Sequence, residues 1–150
     1  MKYLAIDLGS KTLGLARGSG LIASAWKTLR FKENDFDQAL KELLAVIKKY
    51  QPDEIILGYP LNMDGSAGES AEVVLAFKRM LEEKLSGKIP VVLIDERRTT
   101  FSANQVLLAA EMSRRARKEK KDQVAATIIL QTYFDKLNFA KKSEEEKDDE

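Results

Sequence analysis

Three apolar segments, separated by glycine-marked turns, precede any helical periodicity in this chain of 150 residues. The stretch KYLAI (residues 2–6) runs into Asp7, and Gly9 and Gly14 bracket a turn. Leu13 to Arg17 can return, and Gly18-Ser19-Gly20 turns the chain into a third stretch from Leu21 to about Phe31. Short apolar runs punctuated by glycine read as strands joined by tight turns. An opening of three successive strands commits one side of the sheet to an antiparallel meander, whatever follows.

The period then changes. Phe36, Leu40, Leu43, Leu44 and Ile47 recur at helical spacing, Asn34 or Asp35 can cap the start, and Pro52 closes the helix. A short buried strand, Glu54–Gly58, leads into the loop YPLNMDGSAGES. The next helix turns Val73, Val74, Phe77, Met80, Leu81 and Leu85 inward and stops near Gly87. After Pro90 comes the strand VVLID; a helix carrying Phe101, Val106, Leu107 and Ala110 follows. A final helix over about Asp122–Leu137 buries Val124, Ala125, Ile128, Ile129, Tyr133 and Phe134. The order β-β-β-α-β-α-β-α-α predicts an α/β fold: a mixed five-stranded sheet with helices on both faces. Residues 1–138 suffice for one domain with one core. Residues 139–150 are nearly devoid of apolar side chains and are expected to form a charged, disordered tail.

Composition excludes whole classes of chemistry. The chain has no His and no Cys, so it cannot build a Ser-His-Asp triad, a Cys-His dyad, a disulfide or a His- or thiolate-ligated zinc site. Acid–base work must rest on carboxylates, Lys, Tyr or metal-bound water. No apolar run approaches the roughly 20 residues needed to span a bilayer, and no secretory signal is visible, so a cytoplasmic protein without membrane contact is expected. The net charge of +1 conceals an uneven distribution: the last ten residues hold six acids and three bases, leaving 22 bases and 18 acids in residues 1–140. RRARKEKK, residues 114–121, concentrates six bases against one acid.

Sites in α/β sheets gather at the carboxyl ends of parallel strands. Asp7 ends the first strand there, and an acid after apolar residues cannot hide in a strand without a partner. An ordinary turn aspartate fits equally well on spacing alone. Asp95 and Glu96 end the last strand; because successive strand residues face opposite sides, one of the two at most joins Asp7. Asp122 opens the final helix, as a cap, as a carboxylate aimed at the same cleft, or as both. The bases Arg114, Arg115, Arg117, Lys118, Lys120 and Lys121 favour contact with a polyanion without choosing its sequence. The loop with Asn62, Asp64 and Gly65 suits a phosphate or a substrate strand near a helix start.

DLGSKTLG, GYPLNMDGSAGES, DERRTT and KDQVAATIILQTYF, in this order and spacing, resemble the four motifs of the YqgF/RuvX family of Holliday junction resolvase-like nucleases, over residues 2–137. The resemblance implies a ribonuclease H-like fold and an acidic triad of Asp7, Glu96 and Asp122 that binds Mg²⁺ or Mn²⁺. It selects Glu96 over Asp95, a choice the residues alone leave open. Lys11 stands where the family often carries Arg, which keeps the charge and loses a bidentate contact. Lys11 and the 114–121 run are then expected to hold the phosphate backbone, with Arg97 and Arg98 in local pairing or phosphate contact. The implied activities are maturation of the 5′ end of small-subunit ribosomal RNA and resolution of four-way DNA junctions. A ribosomal partner, and a monomer or a homodimer, are compatible with both. A binding module that clamps RNA without cutting is the main alternative. A sugar-kinase or actin-like ATPase also opens with a strand and a DxG turn, but needs two such domains.

Overall fold

The computed structural model describes residues 1–60, 64–95 and 121–148, with side chains over 123–141 in the last stretch. Five strands and three helices are formed there: β1 (Tyr3–Leu8), β2 (Thr12–Gly18), β3 (Ala23–Arg30), α1 (Phe36–Tyr50), β4 (Glu54–Tyr59), α2 (Glu69–Leu85), β5 (Val91–Asp95) and α3 (Lys121–Asp148). The sheet order is β3-β2-β1-β4-β5. β2 pairs antiparallel with both β1 and β3, whereas β1, β4 and β5 run parallel. The expected helix over 101–110 lies outside the described residues.

Alternation along the strands builds two cores. Leu4, Ile6, Leu13, Leu15, Ile55 and Leu57 pack beneath α1 and α2 with Leu40, Leu43, Val74, Phe77 and Leu81. Tyr3, Ala5, Ala16, Ala23, Ile56 and Ile94 face the other way, onto Ala126, Ile129, Leu130 and Phe134 of α3. Under α3 the strands β1, β2 and β3 present Ala5, Ala16 and Ala23, small residues that let the helix approach closely there. That explains a shift from the sequence reading: Ala126, Thr127 and Leu130 are buried, while Val124, Ala125, Ile128 and Tyr133 are only half-buried. Val73, expected inside, is 36% exposed, because α2 buries Ala71, Val74, Phe77 and Leu81 instead.

The helix ends follow elementary rules. The Asp35 side chain accepts from the Gln38 amide and caps α1, which closes at Gln51 in a left-handed conformation. α3 continues past Leu137 to Asp148, into the stretch expected to be a disordered tail. The Ala, Lys and Glu of that stretch are strong helix formers.

One glycine fixes how α3 meets the sheet. A Cβ on Gly18 would lie 2.7 Å from the Ile22 carbonyl oxygen and 2.7 Å from the ring of Phe134, which is fully buried. Neither neighbour can yield cheaply. Gly18→Ala is expected to cost about 1–3 kcal/mol of stability, read from the midpoint of chemical denaturation.

Candidate active site at the carboxyl end of β1

Asp7 is half-buried at the end of the central strand, and strand alternation sets it on the α3 side, two residues beyond Ala5. Its row across the sheet is unusual. On one side Asp7 pairs with Gly14, which in turn pairs with Thr28 of β3. On the other side the register Ile6↔Leu57, continued by one residue, brings Gly58 alongside. The carboxylate is therefore flanked by two positions that carry no side chain. Thr28, at the end of the row, accepts a hydrogen bond from Gln123 Nε2 at 3.1 Å. The first turn of α3, which contains the backbone of Asp122, is thereby anchored to the row that holds Asp7.

The turn after Asp7 is closed by the Gly9 amide donating to the Thr12 carbonyl at 2.8 Å. Phe31 N donates to Lys11 O at 2.9 Å and Asn34 N to Ser10 O at 2.8 Å, so the β3–α1 connection braces this turn. Lys11 is exposed at its tip. In the β4–α2 loop, Asp64 Oδ1 accepts from Ser66 N at 2.9 Å and from Ser66 Oγ at 2.6 Å, and Gly65 adopts a left-handed φ of 91° that suits glycine. Between the β1–β2 turn and the first turn of α2 a cleft of about 340 Å³ is lined by Gly9, Ser10, Asn34, Glu69 and Ser70. It opens on the α1/α2 side, shared by Leu8 and Phe36, and so across the sheet from Asp7. Glu69 adds a carboxylate to the start of α2, where an anion would otherwise be welcome.

Asp95 pairs with Tyr59, and both follow the alternation of Leu57 and Leu93, which pack on the α1/α2 side. Asp95 and Asp7 therefore stand on opposite faces of the sheet. Glu96, Arg97, Arg98, Asn62, Arg114, Arg115, Arg117, Lys118 and Lys120 lie outside the described residues. Lys121 and Asp122 are described as backbone only. Among the described residues there is no group of three acids able to hold a metal. Sequence reading missed Gly14, Gly58 and Gln123; the signal for the glycines was their place in strands otherwise filled with apolar residues.

At the opposite, amino-terminal end of β4, the Tyr133 hydroxyl donates a short hydrogen bond to Glu54 Oε1. Burial first, and then the bonded Glu54 carboxylate, push the Tyr133 phenol well above its ordinary 10.0. Burial and Glu54 raise Tyr3 likewise. Groups with raised folded-state pKa values lend their full stability below the unfolded value and lose it as pH climbs towards the folded one. The contribution of these tyrosines to stability is expected to be constant below about pH 9 and to fall above pH 10. Tyr133→Phe is expected to flatten that fall, as measured by denaturation midpoints across alkaline pH.

The sheet order, the parallel core behind an antiparallel meander, and an acid at the end of the central strand define a ribonuclease H-like α/β protein. Solved structures share the fold: Thermus thermophilus RuvC superposes with a TM-score of 0.61 at 13% identity, covering 89% of this chain and 94% of that one. Fowlpox virus resolvase, solved with Holliday junction DNA, gives 0.58 at 12% identity over 91% and 99%. The chain belongs to the RuvX (YqgF) family of nucleases: residues 1–136 match the family described as "RuvX: Holliday junction resolvase". A relative from Mycoplasma capricolum is 45% identical over 134 residues, 88% of this chain and 94% of its own. One from Bacillus subtilis is 43% identical over 140 residues, 92% and 100%. Both carry the name "Putative pre-16S rRNA nuclease".

Proposed function

We propose that the protein is a divalent-metal-dependent nuclease that hydrolyses phosphodiester bonds in structured nucleic acid, and that its substrate is the 5′ end of the small-subunit ribosomal RNA precursor. The observation that carries this reading is the setting of Asp7: a half-buried carboxylate at the end of the central strand, between two glycine positions, in a row whose end is tied to the first turn of α3. The names of the relatives at 43–45% identity support the ribosomal substrate.

The donor chemistry fits a hard cation. With no His or Cys in the chain, only oxygen ligands are on offer, and Mg²⁺ or Mn²⁺ prefers them. Asp7, Glu96 and Asp122 would hold the ion. Strand alternation supports Glu96, because the residue after Asp95 in extended chain returns to the side of Asp7. Asp122 is supported by the anchoring of its helical turn through Gln123 to Thr28. When bound, such an ion activates water and stabilises the leaving oxygen of a phosphodiester. The glycine positions beside Asp7 give a phosphate room to approach. Lys11 at its exposed turn and the basic run 114–121 neutralise and orient the backbone, and the proposed setting is the cytoplasm.

The description of the family favours a second reading, cleavage of four-way DNA junctions, which would need two such sites and hence a homodimer. The test is a side-by-side cleavage assay in Mg²⁺ on precursor ribosomal RNA and on a four-way DNA junction, with Asp7→Asn as control. Cutting of the RNA by the wild type alone supports the first reading. Cutting of the junction alone transfers the site to the second. Cutting by neither leaves a binding module.

A further inference from the structure

The amino-terminal end of the sheet holds a cluster that the cleavage site does not use. β3 carries an extra residue opposite the Leu15–Ala16 step of β2: Ala16 pairs with Ala25 and Leu15 with Lys27, leaving Trp26 in the bulge. A bulge re-aims side chains, and here Trp26 and Lys27 come to share one side of the sheet. The Arg17 guanidinium carbon lies 4.5 Å above the Trp26 ring, and Lys27 Nζ lies 4.7 Å from the same ring. Tyr50, the last residue of α1, stands 5.1 Å from Trp26 and takes Lys2 Nζ at 5.4 Å and Arg17 at 6.0 Å. Lys48 and Lys49 in the last turn of α1 are exposed.

Arg17 is exposed, and among the described residues neither it nor Lys27 is paired with a carboxylate. The nearby acid, Asp53, accepts a hydrogen bond from the Lys2 backbone amide at 2.7 Å. Rings that hold cations in place lower the entropy cost of engaging an anion, and a guanidinium lying on an indole keeps its N–H edge for hydrogen bonds. Beside the cluster is a cleft of about 420 Å³ lined by Lys2, Arg17, Ser19, Ser24 and Tyr50. Its hydroxyls and cations match phosphate oxygens. The rings are already covered by cations, so the surface suits a nucleic-acid backbone rather than stacked bases.

We infer that Arg17, Lys27 and Lys2, mounted on Trp26 and Tyr50, form a second nucleic-acid contact that grips the phosphate backbone of the substrate away from the cleavage site. Identifying that backbone as RNA rests on the function proposed above. Arg17 pairs with Leu4, three residues before Asp7, and sits on the opposite face of the sheet. The grip is thus roughly 10 Å back along the strand from the cleavage end. It serves long substrates and leaves short ones unaffected.

Trp26 is the single tryptophan of the chain and reports on the cluster directly. The wild-type protein, without divalent metal, is titrated with a single-stranded oligouridylate of about 20 nucleotides while Trp26 emission is followed. A saturable change in emission is expected. In the double variant Arg17→Ala, Lys27→Ala the affinity is expected to fall about tenfold and the slope of log K against log salt to drop by about 1.4. A merely structural role would not move that slope. Metal-dependent cleavage of a short substrate that reaches only the Asp7 end should match wild type. Silent Trp26 emission in the wild type, or an unchanged salt slope in the variant, would overturn the inference. Because the binding arm involves no cleavage, loss of all nuclease activity with the Arg17-dependent slope intact counts against the proposed function alone.

Discussion

Asp7→Asn is expected to lower metal-dependent cleavage by about a hundredfold or more, equivalent to about 2.7 kcal/mol of transition-state stabilisation, while the unfolding midpoint holds or rises slightly. Asparagine keeps the shape of the side chain and removes the charge. If Asp7, Glu96 and Asp122 share a cation as proposed, one fewer negative charge weakens cation binding and relieves repulsion in the metal-free protein. Cleavage therefore falls while the midpoint does not, which a damaged fold would not produce. The half-buried position at the end of β1 and the glycine neighbours limit any repacking around the substitution. Equal cleavage by the two proteins, in preparations controlled for contaminating nuclease, would remove Asp7 from the chemistry.

The second large effect separates two adjacent acids. Glu96→Gln is expected to lose activity on the scale of Asp7→Asn, and Asp95→Asn to stay within about threefold of wild type. The argument is geometric. Asp95 is the last residue of β5, in register with Tyr59, and the alternation of that strand assigns it to the α1/α2 side. Asp7 belongs to the α3 side. A residue that alternates once more returns to Asp7. The reverse pattern of losses would mean that the strand breaks its alternation after Asp95 and that the acid at the end of β5 enters the site by another route.

The sheet and its order of elements were readable because the period of the apolar residues changes from two to about 3.6 at Phe36, and glycine marks each early turn. The capping of α1 was legible for the same local reason. What escaped was set by the partner surface. The buried face of α3 is decided by Ala5, Ala16 and Ala23, which are remote in sequence and admit the helix closely enough to cover Ala126 and Leu130. Strand pairing also had to be known before Gly14 and Gly58 could be seen to flank Asp7. At the proposed site, the missing His and Cys narrow any metal ligands to oxygen donors, which is why carboxylates were the candidates. The faces of Asp7 and Asp95 were not, since they depend on where each strand starts its alternation.

The far end of α3 has its own fastening. Gln131 bridges the β2–β3 turn, accepting from Ala23 N at 2.9 Å and donating to Leu21 O at 2.9 Å, and Asn138 Nδ2 reaches Gly20 O at 3.3 Å. A hairpin tip is ordinarily the tolerant place to lengthen a protein or graft a tag. In this chain the tip and the helix that begins at the proposed site are clasped together. An insertion at residues 19–22 would pull on one end of a lever whose other end is tied through Gln123 to Thr28, in the row of Asp7, so fusion partners belong elsewhere on the molecule.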